Sequence, residues 1–134
     1  MTIKSINTRF RAYQMDTAGS SFSYFADGKF VLIEARYCEA NKPSIHREME
    51  ICGVNELSTL HITSWDQDHC SPTHLEEILI SLKPRKVEFP GYKPHTESGK
   101  DSLKLIEKYK QNSSKPSTIS VTPEYIDGLE AAIN

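Results

Sequence analysis

The chain has 134 residues, 37% apolar and 25% charged, with a formal net charge of −2. That is about one domain's worth of chain with a modest core, and so balanced a charge gives no global electrostatic case for nucleic acid. No apolar run approaches the roughly 18–20 residues of a membrane span. The opening MTIKSINTRFRAYQ lacks the apolar stretch of a secretory signal, so a cytoplasmic setting with no membrane partner is expected. Cys38, Cys52 and Cys70 are widely spaced and form neither a disulfide framework nor a C-x-x-C knuckle, so reduced thiols are expected.

Taken in chain order, RFRAYQM alternates as a strand does, and DTAGSS reads as a loop. In SFSYFADGKFVLIEA (21–35), two β-rich runs flank Asp27-Gly28, a dipeptide suited to a tight hairpin because both positions accept positive φ. SIHREMEICG predicts a short helix capped by Ser44, striped by Ile45, Met49 and Cys52, and ended by Gly53. TLHIT is a short buried strand. Ser71-Pro72 opens a second helix whose apolar face is Leu75, Ile78, Leu79 and Leu82. KVEF is a strand and PGYKPHTESGK a loop. A helix follows over about 98–111, then the strand TISVT and a last helix opened by Thr122-Pro123. A hairpin followed by alternating helices and strands predicts an α/β fold with its strands covered by helices.

The chemistry gathers in SWDQDH, just past the strand TLHIT, where open α/β sheets place their functional groups. Asp66, Asp68 and His69 stand within four positions, and two neighbouring carboxylates repel unless a cation, a proton or solvent relieves them. Carboxylate oxygen and imidazole nitrogen suit a hard or borderline divalent metal, with zinc or manganese expected. Such a metal makes a coordinated water nucleophilic near neutrality. The plainer alternative is that the aspartates only cap the helix that follows. His46 and His74 read as polar-face helix residues, His61 as a packed or partnered core residue, and His95 as a surface residue. Cys70 reads as a buried thiol.

These residues resemble the metal motif of the metallo-β-lactamase fold, H-x-H-x-D-H, in the H-x-D-x-D-H variant of ComEC-like competence proteins. In that alignment Ser64 takes the first His position, Asp66 the second, and Asp68 and His69 match outright. MDTAGSS resembles the family's D-V-G-Q-G-D loop through Asp16 and Gly19, and VLIEARY stands where the family has L-I-D-G-G. The resemblance covers roughly residues 8–90. It implies a single metallo-β-lactamase-like domain over 1–134 that is the N-terminal part of an αββα sandwich. It also implies metal ligation by Asp66, Asp68 and His69, with Asp68 catalytic. The implied reaction is hydrolysis of phosphodiester bonds in nucleic acid or nucleotides by metal-activated water. Nucleic acid, a second copy of the chain, or a missing C-terminal half are the implied partners. Ser64 also admits a catalytically degenerate binding module.

Overall fold

The computed structural model describes residues 8–112, 117–126 and 128. Its strands β1 (Thr8–Ala12), β2 (Phe22–Ala26), β3 (Lys29–Ile33), β4 (Thr59–His61), β5 (Lys86–Pro90) and β6 (Ser117–Val121) form one sheet in sequential order. β1, β2 and β3 run antiparallel; β3 to β6 are parallel. Asp27 (φ 52°) and Gly28 (φ 76°) make the β2–β3 turn, with Ala26 facing Lys29 across it. Two left-handed residues match the twist of the flanking strands, which is why this dipeptide sets the register.

Each parallel step needs a crossover, supplied by α1 (Lys42–Cys52), α2 (Pro72–Ser81) and α3 (Glu97–Asn112). A sheet that always advances in one direction through crossovers of one hand puts its helices on one face. Side chains confirm this. Glu48 of α1, 1% exposed, takes Arg9 in a two-pronged ion pair and also reaches Arg11. Arg9 shares its sheet face with Phe25, Phe30, Leu32, Leu60 and Val87. Those five are buried in the same core as Ile45 and Met49 of α1, Leu75, Ile78 and Leu79 of α2, and Ile106 of α3.

The opposite face is open over much of its width. One register row runs Phe10, Tyr24, Val31, Thr59, Lys86; the next runs Ala12, Phe22, Ile33, His61, Glu88. Phe10 is 65% exposed and Tyr24 42%.

Two expectations need correction. α1 starts at Lys42 with Asn41 at its N-cap and Pro43 in its first turn, so Ser44 is not the cap. The reason is the preceding loop: Asn41 accepts from the Cys38 amide (2.7 Å) and donates to the Arg36 carbonyl (3.0 Å), fixing the helix start upstream. His61 is partnered, as expected, but on the open face rather than in the core. Gly53 (φ 71°) does end α1, and Ser71-Pro72 does open α2. The last helix begins at residues 123–126, where Thr122 Oγ1 accepts the Tyr125 amide (3.2 Å); of its remainder, 127 and 129–134 lie outside the described residues.

Candidate metal centre

β3 and β4 end side by side, with Ile33 opposite His61. Beyond them the Glu34 amide donates to the His61 carbonyl (2.7 Å) and the Ala35 amide to the His69 carbonyl (2.8 Å). Ala35 also bridges to Cys70. These backbone bonds lay residues 34–35 along residues 69–70, so a side chain leaving β3 meets the turn that follows β4.

That side chain is Glu34. Its φ of 79° is in the left-handed region, where a residue with a Cβ pays on the order of 1–2 kcal/mol. The carboxylate is buried, 2% exposed, and an ionised carboxylate away from water must be hydrogen-bonded. Oε1 accepts the Thr63 amide and hydroxyl, both at 2.8 Å, and Oε2 faces His69 Nδ1. With Glu34 ionised, the consistent assignment puts the His69 proton on Nδ1, which donates to Glu34. That leaves the Nε2 lone pair free. A carboxylate behind a histidine is the arrangement that orients an imidazole as a metal ligand and raises its basicity.

His69 Nε2 lies 3.7 Å from Asp68 Oδ1, with the two side chains 32% and 50% exposed. Two donors at about 2.0–2.2 Å from one tetrahedral ion sit roughly 3.3–3.5 Å apart, so the pair fits a metal in donor type and nearly in spacing. The structure thus joins Asp68 to His69. Asp66 contributes its backbone: its carbonyl accepts the His69 (2.9 Å) and Cys70 (2.8 Å) amides, closing the turn, while its amide donates to Ser64 Oγ (3.1 Å). The exposed Asp66 carboxylate makes no hydrogen bond or ion pair with the other two among the described residues. Nor do those residues bring three or more His, Cys, Asp or Glu side chains into a metal-holding group. Ser64 is engaged locally, its Oγ accepting from the Tyr92 hydroxyl (3.4 Å).

Cys70 is fully buried, and burial pushes its thiol up to about 11. His95 is exposed, as expected. His74 is more than a polar-face residue: its Nδ1 accepts two hydrogen bonds. Glu34 was the site residue that composition and spacing did not single out. Its only signal is a lone acid closing the apolar run KFVLI, where the resembling family has the Asp of L-I-D-G-G. Neither a protein-family model nor a curated protein matches the chain.

Proposed function

We propose that the chain carries part of the centre of a metal-dependent hydrolase with a metallo-β-lactamase-like fold, acting on phosphodiester bonds. The observation that carries this reading is His69, its Nδ1 held by a buried, strained Glu34 and its Nε2 presented beside Asp68 at the ends of parallel strands. The fold supports it as well. A hairpin leads into parallel strands, α1, α2 and α3 share one face, and the other face, which the last helix meets where Tyr125 bonds Glu88, is partly apolar, as the first layer of an αββα sandwich would be. Asp68 and His69 would hold the ion, and a bound divalent metal supplies Lewis acidity and a more acidic water. Glu34, facing Nδ1, holds the ring turned so that Nε2 points toward Asp68. Asp66, open to solvent, is the third ligand of the reading.

A second reading is a degenerate module that binds without catalysis. It is favoured by Ser64, whose hydroxyl is committed to the Asp66 amide and Tyr92 and not to the Asp68–His69 pair.

Zinc and manganese titration by calorimetry, with elemental analysis after dialysis, tests both. The hydrolase reading expects about one metal per chain, lost in Asp68→Ala and His69→Ala, with metal-dependent cleavage of a phosphodiester such as bis-p-nitrophenyl phosphate. Metal bound without cleavage selects the degenerate module. Negligible metal in the parent chain removes the hydrolase reading and leaves a degenerate module without metal, or aspartates that only form the turn.

A further inference from the structure

Arg36, two residues beyond Glu34, is 5% exposed. A buried guanidinium is costly unless its donors and its charge are met, yet among the described residues no carboxylate pairs with it. Backbone and imidazole meet it instead. Nη1 donates to the Ala18 carbonyl (2.6 Å) and to the Asp68 carbonyl (3.0 Å), and Nε donates to His74 Nδ1 (3.3 Å). The Tyr37 amide donates to the same Nδ1 (3.1 Å). Three segments that share no hydrogen bond of their own among the described residues thus converge on one planar fork: the 16–19 loop, the turn after β4, and the first turn of α2.

Two details make this more than a loop staple. The Asp68 carbonyl belongs to the peptide that joins Asp68 to His69, so the atom Arg36 grips sits between the two side chains of the candidate centre. Rotation of that peptide would move both. The loop is also built to let the fork in: at Gly19 (φ 131°) an added Cβ would fall 2.2 Å from Arg36 Nη1 and 2.4 Å from the Asp68 carbonyl oxygen. Only glycine permits that approach.

We propose that Arg36 is a positioning residue for the centre, fixing the Asp68–His69 peptide, and that neutral His74 is the acceptor that aims its guanidinium. Calling the target a centre rests on the hydrolase reading above; the clamp itself does not. An imidazole with a proton on Nδ1 cannot accept from Nε or from the Tyr37 amide, so the clamp needs His74 unprotonated there. Its surroundings favour that form. Burial and the charges of Arg36 and Lys42 oppose protonation, outweighing Glu77 on the next turn of α2 and Asp16 in the loop, and hold His74 below its usual 6.5.

Backbone hydrogen exchange of the His69 and Cys70 amides, which both donate to Asp66, reads the clamp without any metal. Arg36→Lys keeps the charge but loses the fork. It should speed exchange at His69 and Cys70 by roughly tenfold or more relative to the parent chain, leaving Leu60 and Val87 in the strands unchanged. His74→Ala should give the same local pattern and serves if Arg36→Lys does not fold. His74→Asn places Oδ1 near the lost Nδ1 and cannot be protonated. After correction for intrinsic rates, it should keep the turn protected as pH falls below 6.5, while the parent chain loses protection on the acid side of that value. Parent-like exchange at His69 and Cys70 in both Arg36→Lys and His74→Ala overturns the proposal, and so does acceleration spread evenly over the strands. A chain that binds no zinc would refute the hydrolase reading and leave this result standing.

Discussion

Glu34 and His69 lie 35 residues apart in sequence, yet Oε2 of one faces Nδ1 of the other beyond the ends of adjacent parallel strands. The contact follows from two backbone bonds, Glu34 to His61 and Ala35 to His69, which carry the exit of β3 past the turn after β4. A glutamate held at positive φ and shielded from solvent is an expensive way to orient a histidine that has no task.

Glu34→Gln tests that orientation. The amide keeps the size but loses the charge, and its NH₂ can be satisfied only by turning against the Thr63 donors or the His69 proton. Nitrogen-15 shifts of the His69 ring should show the Nδ1–H tautomer giving way to a mixture. Zinc affinity should fall by about 10–100-fold, the usual effect of losing a partner behind a ligand histidine. An unchanged tautomer in Glu34→Gln would show that the carboxylate does not set the ring.

On the open face, His61 Nδ1 pairs with Glu88 at 2.9 Å, and Glu88 also accepts from the Tyr125 hydroxyl (3.1 Å) and Lys86 (3.3 Å). The His61 hydrogen bond, then the Lys86 charge and the Tyr125 hydroxyl, outweigh burial and pull the Glu88 carboxyl down to about 2. A depressed acid stabilises the fold above its unfolded value of 4.5, and that contribution disappears as pH falls from there toward 2. Allowing for solvent screening at this partly covered face, the contribution is on the order of 2 kcal/mol. Urea unfolding from pH 5 to 2 should show that loss in the parent chain and a shallower slope in Glu88→Gln. Parallel slopes would mean that Glu88 contributes nothing through its charge.

Local chemistry made much of the frame legible. Asp27-Gly28 predicted its hairpin and Ser71-Pro72 its helix, because each signal acts within a few residues. The start of α1 was misread for the same reason: Asn41 works on Cys38 and Arg36 ahead of the helix, a role that the Ser44 cap pattern does not reveal. Asp68 and His69 were visible as a cluster next to a strand. Glu34 was not, since only the parallel pairing of β3 with β4 brings it there. The Arg36–Asp68 contact, 32 residues apart, depends on the same pairing together with a glycine loop.

Two glycines separate backbone strain from close packing. Gly28 has φ 76° with nothing within 4 Å of an added Cβ, so Gly28→Ala should cost only the left-handed penalty, about 1 kcal/mol. Gly19 combines φ 131° with a Cβ driven into Arg36 and Asp68, so Gly19→Ala should cost at least twice as much and loosen the 66–69 turn. Chemical denaturation of the two variants checks the order. Equal losses would show that the 16–19 loop yields freely and does not hold the fork in place.

The open sheet face offers the last test. Phe10 stacks on Phe22 across the β1–β2 pair, with ring centroids 5.9 Å apart and planes 23° from parallel, while 65% of Phe10 remains exposed. Aromatic pairs of this kind contribute about 0.5–1 kcal/mol, far less than a filled core position. Phe10→Thr, a polar residue that still suits a strand, should therefore cost under about 1 kcal/mol. Phe30→Thr, on the covered face and fully buried, should cost about 3 kcal/mol or more. Contiguous exposed apolar surface captures hydrophobic dyes. The parent chain should bind anilinonaphthalene sulfonate at neutral pH without unfolding, and Phe10→Thr with Tyr24→Thr should remove most of that signal. Dye binding that persists in the double variant would place the accessible apolar surface elsewhere, and the open face would lose its distinction from the rest of the molecule.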